Sequence, residues 1–128
     1  EHDIRLAGPV AAALHVECDR ASHDLHCALS FLPPGQDRAI TLTAGALHLR
    51  DSRHGGERVV PMRAACASLR AGTRLRLSVQ GAAFPAFPVN PGTGEAPALA
   101  HPADALVTTL HIQHGPRHPS RLLLPVAA

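Results

Sequence analysis

The chain contains no tryptophan, no tyrosine and no lysine, and its aromatic content is three phenylalanines, Phe31, Phe84 and Phe87. Stacking on unpaired bases or on sugar rings therefore has almost nothing to work with. All twelve basic residues are arginines, scattered from Arg5 to Arg121, and the formal net charge is only +2, so a nucleic-acid partner is not expected. Long hydrophobic runs are missing as well. No segment approaches the ~20 apolar residues of a helical membrane span, and the longest are broken by Pro, Gly or charge, so no membrane contact is expected. The three cysteines, Cys18, Cys27 and Cys66, are an odd number at unrelated spacings. That is neither a disulfide framework nor a C-x-x-C metal or redox pair; reduced structural thiols are the reading, and they favour a cytoplasmic setting. The chain starts at Glu1 rather than Met and has no basic-then-apolar leader, as expected of a piece of a longer protein.

What is present is a foldable composition, with 45% apolar and 17% charged residues in 128. That is a single domain, residues 1–128, with a real core. The hydrophobic period is two rather than 3.6. Val10, Ala12, Leu14 and Val16 alternate with Ala11, Ala13, His15 and Glu17. Leu25, Cys27, Leu29 and Phe31 repeat the pattern until Pro33-Pro34-Gly35 stops it, which points Cys27 at a core. Ile40 and Leu42 keep even phase whereas Leu47 and Leu49 are odd, so an extra residue is expected between them, with a bulge at Gly45. A short Val59-Val60 strand meets Pro61, which confines it to an edge or a strand end.

Thr73 to Gln80 gives the cleanest alternation, with Leu75, Leu77 and Val79 on one face and Arg74, Arg76 and Ser78 on the other. Leu106 to Ile112 and Leu122 to Val126 complete the set, and only Arg63 to Leu69 reads as a helical turn. The sum is about eight short strands at intervals of about ten residues, the pattern of an all-β antiparallel sandwich. No segment could serve as the crossover helix of a parallel sheet.

Catalytic signatures are absent. None of the six serines, Ser22, Ser30, Ser52, Ser68, Ser78 and Ser120, sits in a G-x-S-x-G elbow, and there is neither a P-loop nor a G-x-G-x-x-G. Among the ten histidines, His111, His114 and His118 are close in sequence, but residues three apart on a strand point to opposite faces and no carboxylate completes a metal site. Glu17 with Asp19, and Glu1 with Asp3, read as solvated turn and terminus charges. No cofactor or metal is expected.

The unusual feature is a long loop, Phe84-Pro85-Ala86-Phe87-Pro88-Val89-Asn90-Pro91-Gly92-Thr93-Gly94. Loops of this length inside a compact domain are usually functional or interface-forming, the bland alternative being that both phenylalanines cap the sandwich end. Before it runs Ala71-Gly72-Thr73-Arg74-Leu75-Arg76-Leu77, and after it His118-Pro119-Ser120-Arg121-Leu122-Leu123-Leu124-Pro125-Val126. In that order these segments resemble the C-terminal domain of X-prolyl dipeptidyl-peptidases and cocaine-esterase-like (CocE/NonD) serine hydrolases. Leu6-Ala7-Gly8-Pro9-Val10 resembles the family's Gly-Pro-Val strand entry, and His23-Asp24-Leu25 with Pro34-Gly35 its hairpin. The chain departs from the pattern at Gly81-Ala82-Ala83, Thr73 and Gly92.

The resemblance implies a jelly-roll-like, galactose-binding-like β-sandwich, with the first strands of the full family domain expected before Glu1. It also implies an accessory role. Such a domain packs on an α/β-hydrolase catalytic domain of the same polypeptide, shapes its substrate entrance and can add homo-oligomer contacts. The parent's substrates are then esters, amides or X-Pro peptides, and no catalytic residue lies in this chain. The expected domain-interface residues are Phe84, Phe87, Asn90, Thr93 and Gly94, with His118 and Ser120 nearby. A free-standing ligand- or carbohydrate-binding jelly roll is the alternative from another class.

Overall fold

The computed structural model describes residues 2–51 and 54–127. Glu1, Ser52, Arg53 and Ala128 lie outside the described residues, and with them fall the Glu1 half of the Glu1/Asp3 pair and one of the six serines. Eight strands form two antiparallel sheets packed as a sandwich: β1 (Ile4–Cys18), β2 (His23–Leu32), β3 (Ile40–Leu49), β4 (Gly56–Leu69), β5 (Arg74–Gln80), β6 (Leu110–Gln113), β7 (Arg121–Leu123) and β8 (Val126–Ala127). The only helical element among the described residues is a single 3-10 turn at Pro102–Asp104. No helix of the described residues is long and apolar enough to cross a membrane.

One sheet is built on β1. β4 pairs along one edge, and β6, β7 and β8 follow one another along the other, opposite His15–Cys18, Ala11–Ala13 and Arg5–Leu6. The three short strands act as one edge interrupted twice. The second sheet has the order β3-β2-β5. Between the sheets lie Val10, Ala12, Leu14 and Val16 of β1, Leu25, Cys27 and Leu29 of β2, and Val60, Met62 and Ala65 of β4. This is an aliphatic core without a ring, and it uses the alternating residues of β1 and β2 in the expected phase; from β5 Leu77 and Val79 pack on it, but Leu75, expected on the same buried face, is 39% exposed. Burial raises the Cys27 thiol pKa to about 11, which keeps it protonated and inert at neutral pH.

Three expectations are corrected. Arg63–Leu69 is not a helical turn but the second half of β4, and Val59-Val60 is part of that same strand of 14 residues. Opposite Pro9 of β1 the register shifts, Gly8 facing Ala65 and Val10 facing Met62, so β4 carries an extra residue at Arg63-Ala64. Pro61 does lie in an edge strand, as its missing N–H requires. The β3 bulge is at Leu42, not Gly45: Leu29 faces Thr43 and Ser30 faces Thr41, whereas Gly45 sits in regular register opposite Cys27. Gly45 is instead the point where the two sheets touch, since a Cβ there would stand 1.9 Å from the Pro61 carbonyl oxygen. Thr43 Oγ1 donates to the Arg63 carbonyl at 2.7 Å, so one bulge satisfies a backbone group of the other. Finally, extended pairing before β6 is shorter than the alternation suggests, starting at Leu110 rather than Leu106.

Candidate functional site

The strand β2 is central in its sheet, and its odd residues fill the core. Its even residues Asp24, His26 and Ser30 should meet water, yet all are buried. Over Asp24 and His26 the cover is the loop that follows β5. Phe87 lies over the His26 ring at a centroid distance of 5.0 Å and beside His48 of β3 at 5.7 Å. A backbone bond from Phe87 N to the Ala83 carbonyl folds the Phe84–Phe87 stretch into a turn.

Asn90 fastens the loop to β2. Its Nδ2 donates to Asp24 Oδ1 at 2.8 Å, and its Oδ1 accepts from Ser22 Oγ at 3.0 Å and from Gly92 N at 2.9 Å. Ser22 Oγ in turn accepts from Gly94 N at 3.1 Å. The Asn90 amide oxygen and the Ser22 hydroxyl are thus bonded to each other, and each also accepts from one loop backbone N–H, Gly92 and Gly94 respectively. Pro91 and Gly92 are buried beneath, and the Pro91 carbonyl accepts from Leu106 N at 2.8 Å. Gly92 has φ +75°, and a Cβ there would come within 2.9 Å of Thr108 Oγ1. A cleft of about 300 Å³ opens beside Asn90, lined among others by His23, Asp24, Val89, Leu106 and Leu110.

Fixed backbone presents apolar side chains outward. Phe84 is 76% exposed, Phe87 38%, and farther along the same connection Leu99 and Val107 are each 83% exposed. Phe84 therefore does not cap the sandwich. Thr93 is half-buried, with its Oγ1 accepting from Glu95 N at 3.4 Å.

His118 and Ser120 lie elsewhere, against β1. The His118 ring meets His15 edge-on at 5.4 Å, while Ser120 Oγ accepts from His15 N at 2.8 Å and donates to the Gln113 carbonyl at 2.6 Å. Beside them Glu57 and Arg121 form a forked ion pair at 2.6 and 3.3 Å; the Arg121 guanidinium holds the Glu57 carboxyl below its ordinary pKa. Among the described residues no hydrogen bond or ring contact joins this group to Phe87 or Asn90.

Among the described residues no serine hydroxyl is hydrogen-bonded to an imidazole, and no three His, Cys, Asp or Glu side chains are grouped to hold a metal ion. His111 lies exposed in β6, and His114 is exposed just beyond it. Asp19 accepts from Thr109 N at 2.8 Å, a bond that holds its carboxyl below the ordinary pKa, and Asp3 accepts from Ala71 N at 2.9 Å. Sequence reading missed Ser22, Asp24, His26 and His48 as partners of the loop. One signal was available: Asn90 is the only asparagine in the chain.

The model of a protein family described as X-Pro dipeptidyl-peptidase C-terminal non-catalytic domain matches residues 1–123. Comparison with curated proteins gives no match. Among solved structures, an aminopeptidase from a marine sediment archaeon, Thaumarchaeota archaeon, superposes with TM-score 0.88 at 17% identity over 100% of this chain. An α-amino acid ester hydrolase superposes with TM-score 0.88 at 19% identity over 98%. In both cases the chain spans 24% of the other's length. At these identities the likeness speaks for the fold.

Proposed function

Because the chain belongs to the family of X-Pro dipeptidyl-peptidase C-terminal non-catalytic domains, we propose that it serves as the accessory β-sandwich of an acyl hydrolase. In this reading it packs against an α/β-hydrolase catalytic domain in the same polypeptide and forms part of the wall of its substrate entrance. The parent would be a cocaine-esterase-like (CocE/NonD) or X-Pro peptide hydrolase, and the sandwich a galactose-binding-like jelly roll. Its substrates would be esters, amides or X-Pro peptides.

The observation that carries the proposal is the loop from Phe84 to Val107. It is pinned by Asn90 yet turns Phe84, Leu99 and Val107 outward, an arrangement that loses free energy in water and regains it against an apolar partner. A mobile lid would not need the buried clasp. Truncating side chains at the centre of such a contact costs more than ~2 kcal/mol, whereas rim residues cost little.

In the full-length polypeptide, Phe84→Ala should therefore lower activity or thermal stability clearly more than Arg76→Ala or Arg74→Ala on the exposed face of β5. In the present chain by itself Phe84→Ala should be nearly neutral, because Phe84 contributes little to the chain's own core. Full-length Phe84→Ala behaving like Arg76→Ala would remove the interface reading.

A further inference from the structure

The outer face of β2 carries titratable side chains that the interface reading leaves unused. Asp24 and His26 have side chains only 3% and 5% exposed, and His48 reaches over from β3. His26 is the unusual member. Neither of its ring nitrogens has a hydrogen-bond partner, and its Nε2 stands 3.9 Å from Asp24 Oδ2, beyond bonding distance. Phe87 covers the ring. A neutral imidazole beneath a phenyl ring is tolerated, but an imidazolium there would be cut off from water, with its nearest counter-charge, Asp24 Oδ2, beyond hydrogen-bonding distance at 3.9 Å.

We propose that His26 is a proton-sensitive catch for the apolar end of the loop: neutral, it lets Phe87 lie over it, and protonated, it displaces Phe87, while Asn90 stays fastened to Asp24. The proposal concerns this chain alone and does not depend on what the loop docks against.

The charged groups around His26 decide the direction. From its own strand Asp24 favours the imidazolium, but that carboxylate already accepts from Asn90 Nδ2 at 2.8 Å and faces His48 Nδ1 at 3.1 Å. From β3, His48 opposes a second positive charge, its ring 5.8 Å away. From β5 the cross-strand neighbour is Gln80, and the loop brings Phe87 and Asn90, none of them charged. Burial outweighs Asp24, and the His26 pKa lies below that of an exposed imidazole, with His48 adding to the depression. A base whose folded pKa is depressed leaves the closed loop fully stable above the ordinary imidazole range. Stability is then lost as pH falls from that range towards the folded value. His23 is depressed by burial too, with Arg58 adding to it, and weakens the whole fold over the same range. The test must therefore separate loop from fold.

The experiment is a pH titration of the chain followed by NMR of the imidazoles, the Phe87 ring and the amides of Gly92, Gly94 and β1. As pH falls, the Phe87 signals should move with the His26 midpoint, below the ordinary imidazole value. Gly92 and Gly94, which are bonded to Asn90 and Ser22, and the β1 amides should stay in place. His26→Phe should abolish the Phe87 response. Phe87→Ala, at a partly exposed position, should raise the His26 midpoint towards the ordinary imidazole value. An ordinary His26 midpoint in the unmodified chain, a His26 titration that leaves Phe87 unmoved, or Gly92 and Gly94 shifting together with Phe87 would each overturn the proposal. Should His26→Phe fail to fold, an unchanged His26 midpoint in Phe87→Ala overturns it independently.

Discussion

One amide makes three of the hydrogen bonds that hold the loop in place. Asn90 supplies a donor to the buried Asp24 carboxylate and an acceptor shared by Ser22 and Gly92. Removing it leaves a charged group short of a donor where water is scarce, a loss of the order of 2–3 kcal/mol for a charge-assisted bond. Asn90→Ala should lower the free energy of unfolding by about that amount in a denaturant melt, whereas Thr93→Ala should change it by less than ~0.5 kcal/mol. Equal effects would mean that the clasp is not what fixes the loop. Sequence alone singled out Asn90 and Thr93 but could not rank them, because the partners Ser22 and Asp24 sit more than sixty residues away, Asn90 pairing with Asp24 at a separation of 66. The burial of Asp24 and His26 was out of reach for the same reason: nothing local reveals that a later segment will cover them.

The strands were legible wherever period two ran unbroken. β1 and β2 fill the core in the phase of their alternation, since each side chain's face follows directly from its parity, and β5 does so at Leu77 and Val79 but not at Leu75. β4 was not legible. Its extra residue at Arg63-Ala64 moves burial from Val60 and Met62 to Ala65 and Leu69, and the resulting Met62, Ala65, Leu69 spacing of three and four imitates one face of a helix. In β3 the change of phase was visible, but glycine drew the bulge to Gly45, when what Gly45 supplies is close approach. Its missing Cβ lets the Pro61 and Met62 backbone of the opposing sheet pass, and backbone cannot step aside. Gly45→Ala should therefore destabilise the chain by about 2 kcal/mol or more. Gly55→Ala, whose new methyl meets only the exposed Glu17 side chain, should be much milder in the same thermal or denaturant melts. Comparable losses at both positions would contradict the sheet-contact account of Gly45.

At the scale of the whole molecule, two sheets of short strands enclose an aliphatic core, and the chain's least regular stretch lies across the outside of one of them. The core needs no aromatic ring, and two of the three phenylalanines are on that outer stretch. Burial in the core would have used them better, at ~1.5–3 kcal/mol for a fully buried large side chain, so their outward placement calls for a partner surface. His118 and Ser120, grouped with the loop from sequence order, belong instead to the β1 side, with Glu57 and Arg121. Order along the chain does not say which sheet a late segment returns to.

The central claim is that the exposed face around Phe84 is covered by a catalytic domain. It is tested most directly by the rate at which a thiol beside Phe84 reacts with an alkylating reagent, read peptide by peptide by mass spectrometry in a variant that keeps Phe84 and carries Ala86→Cys at a neighbouring exposed position. The account predicts fast alkylation at position 86 in the present chain and strong protection in the full-length polypeptide, with Cys66, exposed in this chain, followed as a second site in both. Equal rates at position 86 in the two contexts would contradict it.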